Sequence, residues 1–289
     1  MKITPPPEGK IGAEITDVDV RSLTADDAQV LRDCIYKHKL AVFRDQHDLT
    51  NEEYIKFAGL IGRVQIYFQE NYHHPKHPEI FVSTNVPDEN GNKIGVAGTG
   101  QYWHTDYQFD ENPLSFTLLY PKILPRGNRE TYYIDMEHVY HEMPDDLRQC
   151  IGNRDAIHEA KWRYKVTPED VDKALIDVLE EAEKLIPMRR HPAIIQHPVS
   201  GKKAYYISSG FTTGLEGYSH SENTEIMPKL FDFIEQDEHI HTHRWNLGDI
   251  LFWDNRLLLH KASKTPKGEQ SRSYRIGVYD DHPFYIKAN

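Results

Sequence analysis

The sequence predicts one domain that contains buried β-strands, and three observations support this prediction. A chain of 289 residues with 38% hydrophobic residues can bury one sizeable core, and β barrels of this length are often single domains. Residues 40–44 and 248–253 are short apolar runs with the length of buried strands. No internal repeat or low-complexity linker divides the chain, so residues 1–289 are treated as one domain.

The N-terminal part of the chain contains two helix start signals, one on each side of a predicted strand. Thr24 is placed as an N-cap before apolar residues at helical spacing. Thr50, with Glu53 three residues later, forms a second start signal of the capping-box type. The Asn90-Gly91 step further on is a turn signal typical of hairpins. We interpret the two helices as scaffold.

Residues 144–187 are predicted to form a helical and charged insertion between strands. The clearest helical periodicity runs over residues 178–185. The run 161–165 supplies two lysines, an arginine, a tryptophan and a tyrosine. This stretch is therefore a candidate for basic and aromatic contacts outside the β core.

Composition limits the classes of ligand and the compartment. The net charge of −11 argues against a general nucleic-acid or anionic-membrane surface, so the cations for an anionic substrate must be local. The only cysteines, Cys34 and Cys150, are too few for a disulfide scaffold and fit a reducing compartment. The chain starts without the apolar stretch of a signal peptide and has no run of membrane-spanning length. These features predict a cytoplasmic location.

Two histidines and one aspartate form a candidate metal site. His104 and Asp106 are two residues apart, and side chains at that spacing leave the same face of an extended strand. The predicted strand 248–253 would deliver His260 at the end of the following turn. Two histidines and a carboxylate can occupy one face of an octahedral Fe(II), as in the non-heme iron oxygenases, and leave positions open for a co-substrate and oxygen.

Other interpretations of the histidines and glycines remain open. A His-x-Asp triplet alone is a weak signal in a chain with 17 histidines, and a strand histidine bonded to a turn is the alternative. The histidine-rich runs 73–77 and 239–243 lack the spacing of a structural zinc site and are assigned to surface or strand packing. The glycine-rich run 95–100 leads into an aromatic segment rather than a helix, so it is interpreted as a flexible lip.

Segments distributed over most of the chain match one known family. The matching residues are Trp103-His104-Thr105-Asp106, Thr131, Trp253-Asp254-Asn255-Arg256 with His260, Arg275 and Pro283-Phe284-Tyr285. They resemble the TauD/TfdA family of Fe(II)- and 2-oxoglutarate-dependent dioxygenases. The resemblance implies a mainly β fold, a double-stranded β-helix or jelly roll with flanking helices, and a cover over the site formed by the helical insertion at about 144–187. It also implies Fe(II), with 2-oxoglutarate and O2 as co-substrates.

The resemblance implies a role for each site residue. His104, Asp106 and His260 are the implied iron ligands. The remote carboxylate of 2-oxoglutarate needs a cation, and the planar fork of an arginine suits it. Arg272 and Arg275 follow His260 by 12 and 15 residues, and either is a candidate. Thr131 resembles the hydroxyl partner of the same carboxylate, and Arg129, two residues earlier, can face the same side of a strand.

A wider set of residues resembles the isonitrile-forming branch of this family. The matching segments are Tyr67, Tyr72-His73-His74-Pro75, His77-Pro78-Glu79-Ile80-Phe81-Val82-Ser83, Asp106-Tyr107-Gln108-Phe109, Asn128-Arg129-Glu130-Thr131-Tyr132 and Tyr164-Lys165-Val166-Thr167-Pro168. Enzymes of that branch oxidise and decarboxylate a (3R)-3-[(carboxymethyl)amino] fatty acid to an isonitrile. The resemblance implies a substrate pocket lined by Tyr67, Tyr72, Lys165 and Arg275.

Two departures from the branch leave the substrate open. Phe68 stands where the branch has a second tyrosine. Lys264 stands where the branch has a histidine shortly after the distal iron ligand, and it is a fifth candidate for substrate binding. A lysine has a different reach and charge, so the pocket can favour another chain length, a carrier-bound substrate or an amino acid. One alternative is a TauD-like hydroxylase of a sulfonate, sulfate or aryloxy acid. Another is a catalytically silent, cupin-like binding protein. Relatives often form homo-oligomers, but no segment identifies an interface.

Overall fold

The computed structural model describes residues 1–127, 129–165 and 170–287. These residues form a mainly β structure, as the family resemblance implies. The strands, numbered along the chain, are β1 (Lys2–Thr4), β2 (Ala13–Thr16), β3 (Leu40–Phe43), β4 (Arg63–Gln65), β5 (His73–His74), β6 (His77–Thr84), β7 (Phe116–Ile123), β8 (Glu130–Asp135), β9 (Asp155–His158), β10 (Arg189–Pro192), β11 (Ile194–Gln196), β12 (Lys203–Tyr205), β13 (Thr212–Leu215), β14 (Ile240–Arg244), β15 (Ile250–Asp254), β16 (Leu258–Ala262), β17 (Arg272–Tyr279) and β18 (Ile286–Lys287).

Four of the six α-helices of the described residues begin after a polar residue whose side chain caps them, namely Thr24, Thr50, Asp135 and Ser219. The six helices are α1 (Ala25–His38), α2 (Asn51–Ile61), α3 (Met136–Glu142), α4 (Asp145–Ile151), α5 (Leu175–Leu185) and α6 (His220–Ile234). Thr24 and Thr50 close capping boxes with the residues three positions later, Asp27 and Glu53. In each box the side chains satisfy backbone N–H groups that have no partner inside the helix. Both predicted helix starts are confirmed.

One large sheet and three small sheets carry the strands. The large sheet has the order β1-β2-β3-β15-β7-β17-β6-β5, and β4 pairs with β17. A small sheet with the order β14-β8-β16 carries several residues of the site described below. The other small sheets are β10-β9-β13 and β12-β11-β18. The predicted strands at 40–44 and 248–253 are β3 and β15, which pair with each other.

The main core lies between the large sheet and the first two helices. Leu31 and Ile35 of α1 and Phe57 of α2 are at most 1% exposed and belong to one apolar cluster with strand residues. The rings of Phe43 and Phe57 meet edge to face, with centroids 5.2 Å apart. Burying each such side chain contributes about 1.5–3 kcal/mol. The apolar faces of the two helices therefore pack on the buried face of the large sheet and form the main core.

The segment 144–187 contains more than helices. It includes α4 and α5, and α5 covers the periodic run 178–185, but it also includes the strand β9. Strand β9 pairs with both β10 and β13, and Ala156 and His158 are fully buried in that sheet. Part of this segment therefore belongs to the folded core. No helix among the described residues has the length and apolar character needed to span a membrane.

Candidate active site

His104 and His260 are brought together by a pair of backbone hydrogen bonds. The N–H of His104 donates to the carbonyl of His260 at 3.1 Å, and the N–H of His260 donates to the carbonyl of His104 at 2.7 Å. The two residues form an isolated antiparallel bridge. Residues directly opposite in such a pair have side chains on the same face. Their imidazole rings accordingly lie 4.1 Å apart between centroids.

Asp106 lies beside His104 and His260, but the local backbone structure that orients it differs from the predicted one. The chain makes only one bridge, at His104, and then enters a turn at residues 106–109 in which Tyr107 has a φ of 60°. The expectation that His104 and Asp106 leave one face of a strand is therefore wrong. A turn, in which side chains do not alternate, orients the carboxylate instead. Its position is fixed by Thr117 of β7, whose hydroxyl donates to Asp106 Oδ2 at 2.6 Å.

His260 also differs from its predicted place. It lies in the middle of β16, opposite Tyr133 of β8, rather than at the end of a turn. The turn after β15 is followed directly by a second strand, because the apolar residues Leu258 and Leu259 are buried there. His104, Asp106 and His260 each place a ligand atom within 4.8 Å of the others, and all three residues are buried. Within the described ranges no other group of His, Cys, Asp or Glu meets this criterion.

The donor atoms of these residues fit a metal ion. His104 Nδ1 lies 2.8 Å from the carbonyl of Tyr102, so that nitrogen carries the proton and Nε2 keeps a free lone pair. His104 Nε2 is 3.7 Å from Asp106 Oδ1, and His260 Nε2 is 3.9 Å from Asp106 Oδ2. Two nitrogen lone pairs and a carboxylate that converge on one point are the donor set of a facial Fe(II) site.

The electrostatics keep these ligands in their metal-binding protonation states. Burial lowers the pKa of His104, although the nearby Asp106 opposes the shift. Burial and the neighbouring His104 lower the pKa of His260 well below its ordinary value. Burial raises the pKa of Asp106, but Arg275 and the two histidines outweigh it and bring the value to about 2. Neutral imidazoles and an ionised carboxylate are the forms that bind a cation.

The candidate ligands line a cavity of about 160 Å³. One corner of this cavity, which we call the anion corner, consists of Arg129, Thr131, Trp245 and Ser273. The guanidinium of Arg129 donates to the hydroxyl of Ser273 at 3.1 Å and forms no ion pair with any described residue. Trp245 donates its indole N–H to the Thr131 hydroxyl at 2.9 Å, so the hydroxyl proton of Thr131 is free to donate elsewhere. Burial lowers the pKa of Arg129.

A second part of the cavity, the polar wall, consists of Tyr67, Tyr72, Lys165 and Arg275. Arg275 Nη1 lies 2.5 Å from Asp106 Oδ1, and its Nε has no hydrogen-bond partner among the described residues. The rings of Tyr67 and Tyr72 are 5.1 Å apart between centroids. Lys165 donates to the carbonyl of Ala97 in the glycine-rich lip, and burial lowers its pKa. Four of the five residues predicted for the substrate pocket therefore line one cavity, and Lys264 does not.

Two residues proposed from the sequence lie outside this cavity. Arg272 donates to the carbonyls of Val86 and Pro87, at 3.3 and 2.8 Å. In β17 the alternate residues Ser273 and Arg275 line the cavity, so Arg272 faces the opposite side of the strand. Lys264 is exposed beyond the end of β16 and does not line the cavity. The structure brings neither residue to the candidate ligands.

Some matching residues lie outside the described part of the chain. These residues are Asn128 and Val166-Thr167-Pro168. Other cavity residues were missed by the sequence reasoning, notably Ala160, Phe211 and Trp245. Trp245 directly follows β14, in which His243 pairs with Thr131 and Arg244 with Glu130, so strand pairing gives a signal once β14 and β8 are known to be neighbours. Ala160 and Phe211 lie in loops, and no periodicity marks them.

Comparison with known proteins places the chain in a family. The model of the taurine catabolism dioxygenase TauD/TfdA family matches residues 2–276. Pentalenolactone F synthase of Streptomyces avermitilis is 29% identical over 97% of this chain and 95% of its own length. An alpha-ketoglutarate-dependent sulfate ester dioxygenase of Pseudomonas putida is 27% identical over 89% of this chain and 82% of its own.

A solved structure extends the comparison to the fold. A crystal structure described as a putative alpha-ketoglutarate-dependent taurine dioxygenase from Burkholderia xenovorans aligns with a TM-score of 0.75 and 26% identity. The alignment covers 98% of this chain and 90% of that one. The chain belongs to the TauD/TfdA family. It is an Fe(II)- and 2-oxoglutarate-dependent dioxygenase that uses O2, and His104, Asp106 and His260 form its candidate metal site.

Proposed function

We propose that the enzyme oxidises and decarboxylates an N-carboxymethyl 3-amino fatty acid to an isonitrile in natural-product biosynthesis. The observation that carries this proposal is the polar wall, where Lys165 and Arg275 stand with Tyr67 and Tyr72 beside the candidate ligands. The substrate has two carboxylates, one on the N-carboxymethyl group and one on the fatty acid. Two cations on one wall match two anions.

The ligand roles follow from the positions of the side chains. His104, Asp106 and His260 hold Fe(II), which supplies the oxidising chemistry with 2-oxoglutarate and O2 when it is bound. Arg129 and Thr131 bind the remote carboxylate of 2-oxoglutarate, because Arg129 is a half-buried cation with no carboxylate partner among the described residues. This assignment replaces Arg272 in that role. It leaves Arg275, the other candidate, to the substrate.

Arg275 and Lys165 hold the two ends of the substrate. Arg275 touches Asp106 and still has an unpartnered Nε, so it can bind a carboxylate close to the metal. Lys165 reaches the same cavity from the insertion and donates to a backbone carbonyl, a neutral partner that an anion can replace. The phenols of Tyr67 and Tyr72 orient a carboxylate or the amine, and their rings exclude water. The N-methylene carbon is thereby directed at the open face of the metal site.

The reaction is a four-electron oxidation. The fragment R–NH–CH2–COOH loses four hydrogens and CO2 and becomes R–N≡C. Two molecules of 2-oxoglutarate and two of O2 accept the four electrons and four protons, and they yield two succinates, two further CO2 and two waters. Two turnovers on one bound substrate require that its carboxylates stay fixed between them, a requirement that a wall with two cations meets.

The test is a stoichiometry measured with the Fe(II)-loaded enzyme. A short 3-[(carboxymethyl)amino]alkanoic acid, 2-oxoglutarate and O2 are supplied, and succinate and isonitrile are quantified by mass spectrometry. We expect two succinates per isonitrile. Succinate without any isonitrile contradicts the proposed reaction and leaves the dioxygenase class intact.

Lys165 has a matched control in Lys264, an exposed lysine outside the cavity. Lys165→Met is expected to raise KM for the substrate by about 10- to 100-fold, because a charge-assisted hydrogen bond is lost. Lys264→Met is expected to change it by less than about twofold, as for an ordinary surface position. Equal effects of the two variants argue against the role assigned to Lys165.

A hydroxylase of another anionic small molecule is the second candidate function. The relatives include an alkylsulfatase of Acinetobacter baylyi and the sulfate ester dioxygenase described above, both 27–28% identical to this chain. Such an enzyme needs the same metal site and one anion clamp, which Arg275 alone can supply. One succinate per oxidised product, with no second turnover, favours it. Absence of iron from the purified protein would instead favour a catalytically silent, cupin-like binding protein.

Further features belong to the same proposal. We infer a double-stranded β-helix in which the large sheet and the β14-β8-β16 sheet enclose the cavity, because both sheets contribute lining residues. Residues 1–289 form one domain, and part of the segment 144–187 covers the site. The free thiols Cys34 and Cys150 fit a cytoplasmic location. A carrier-linked substrate and a homo-oligomer remain compatible with this proposal.

A further inference from the structure

We infer that the alkyl group of the substrate lies against an apolar wall of the cavity and that Ala160 sets the length of chain accepted there. The apolar wall consists of Phe109, Ala160, Ile186 and Phe211. This inference rests on the proposed function, because it concerns the group R of the same N-carboxymethyl 3-amino acid. It assigns a specificity role to residues outside the metal site, the anion corner and the polar wall.

The apolar wall begins directly beside the candidate ligands. The ring of Phe211 lies 5.9 Å from the imidazole of His104, and the ring of Phe109 lies 4.8 Å from that of Phe211. Phe109, Ala160 and Phe211 are 7%, 6% and 5% exposed. An alkyl group that extends from a substrate at the metal face therefore enters an environment from which water is largely excluded.

The polar and apolar walls meet the metal site at different ligands. Arg275 approaches through its contact with Asp106, whereas Phe211 packs on His104. Tyr107 separates the walls, with its ring 5.6 Å from that of Tyr67 and 5.8 Å from that of Phe109. A substrate placed between them has charge on one side and hydrocarbon on the other. This division matches a molecule in which the alkyl group and the two carboxylate-bearing arms are all attached to one carbon, C3.

Ala160 lies in a backbone segment that is held firmly against Phe211. The N–H of Glu159 donates to the carbonyl of Phe211 at 2.8 Å. Arg163, three residues after Ala160, donates to the carbonyls of Ser209 and Gly210, at 3.0 and 2.9 Å, and stacks over Tyr102. Because these bonds restrict movement of the segment, a larger side chain at position 160 extends into the cavity instead of displacing the backbone.

The expected effect of chain length follows from the burial of methylene groups. Each buried methylene strengthens binding by about fourfold. A substrate with a pentyl group at C3 has four methylenes more than one with a methyl group, so the enzyme should bind it on the order of a hundredfold more tightly. The additional apolar burial also makes the heat capacity change of binding more negative.

The experiment compares two substrates, 3-[(carboxymethyl)amino]butanoate and 3-[(carboxymethyl)amino]octanoate. Binding to the Fe(II)- and 2-oxoglutarate-loaded enzyme is measured by anaerobic calorimetry at several temperatures, and turnover is then measured with O2. The variants are the series Ala160→Gly, Ala160→Val and Ala160→Leu. Ala25→Leu is the matched control, because Ala25 is exposed at the start of α1, outside the cavity.

We expect the preference for the octanoate to fall stepwise through Val and Leu, by about tenfold or more for Leu, with butanoate binding nearly unchanged. Ala25→Leu should leave the preference unchanged. Equal binding of the two substrates by the unaltered enzyme, or an equal loss for both in the Val and Leu variants, overturns the inference. The comparison of the two substrates uses the unaltered enzyme. The inference can therefore be tested even if a variant misfolds.

Failure of the proposed reaction gives a different result from failure of the inference. If the octanoate binds more tightly but no isonitrile forms from either substrate, the apolar wall is supported and the isonitrile reaction is contradicted. If isonitrile forms from both with equal binding, the reaction is supported and the inference fails. If neither substrate binds, both are overturned.

Discussion

Two clusters in this protein are built from the same residue types and differ in whether their polar groups are saturated. The metal cluster consists of His104, Asp106, His260 and Arg275. The ion cluster consists of His197, Asp254, Arg256 and Asp280. Each cluster contains histidine, aspartate and arginine, and the aspartates Asp106 and Asp254 are 3% and 0% exposed. Residue type and burial alone therefore do not separate them.

In the ion cluster the charges are closely compensated. Arg256 donates to Asp254 through Nε and Nη2, at 2.8 and 2.9 Å, and to Asp280 through Nη1 at 2.9 Å. His197 donates from Nε2 to Asp254 at 2.9 Å, and its Nδ1 accepts two backbone N–H groups. The Arg256 and His197 contacts outweigh the effect of burial and hold the pKa of Asp254 far below its ordinary value. The cluster ties the end of β15 to the segment after β17.

In the metal cluster, some hydrogen-bond donors and lone pairs are not used in contacts between the described residues. His260 Nδ1 and Arg275 Nε have no hydrogen-bond partner among the described residues, and the ligand atoms face a cavity. Unsatisfied buried polar atoms are costly, and they persist where a ligand completes them. In this comparison, saturation of the polar atoms separates the ion cluster from the candidate metal site, although both contain the same residue types.

Loss of a metal ligand should produce the largest effect. His260→Ala is expected to reduce succinate formation by about a thousandfold or more, because a candidate iron ligand is removed. The thermal unfolding temperature should fall only by the small amount expected from the loss of one buried ring. Succinate production and circular dichroism, measured on the same preparation, check this. A variant that unfolds at room temperature would show that the metal cluster is structural as well.

Arg256 should show the reverse pattern. Arg256→Met leaves Asp254 and Asp280 as uncompensated buried carboxylates, so we expect a loss of about 3–5 kcal/mol in the free energy of unfolding. Urea unfolding measures it, and Arg256→Lys, which keeps the charge but not the fork, should restore part of the loss. An unchanged unfolding midpoint would contradict the structural role.

Acid stability should depend on Asp254. Its folded pKa lies below the unfolded value, so its contribution is fully present above the unfolded value of about 3.9 and is lost as the pH falls through the folded pKa. We expect a loss on the order of 2 kcal/mol between about pH 5 and 2. Asp254→Asn should be less stable at neutral pH and should show a weaker decline with acid. Parallel declines in urea titrations of both proteins would exclude this assignment.

The smallest effect separates two arginines. Arg129→Gln should raise KM for 2-oxoglutarate by about 10- to 50-fold, because a charge-assisted hydrogen bond is lost. Arg272→Gln should raise it by less than about twofold, since Arg272 faces away from the cavity. The measurement is succinate formation against 2-oxoglutarate concentration. A larger effect at Arg272 would show that a bound ligand rearranges β17.

The sequence by itself determined the local features and the chemistry of the site. Capping boxes at Thr24 and Thr50 use residues three apart, so a short window identifies them. The residue types of the candidate metal site, and its wider resemblance to one family, can also be read along the chain. The separation of Arg272 and Arg275 by three residues already placed them on opposite faces of any regular strand, a signal that the sequence reasoning did not use.

Only the tertiary structure decided which distant residues meet. The His104–His260 bridge joins positions that are 156 residues apart (260 − 104), and the turn after it orients Asp106. Arg129 reaches the cavity because β8 lies between β14 and β16, and Ala160 does so because its segment bonds to Phe211. Such contacts depend on strand partners and loop paths. Local periodicity fixes the face of an element, whereas long-range hydrogen bonding and packing choose its neighbour.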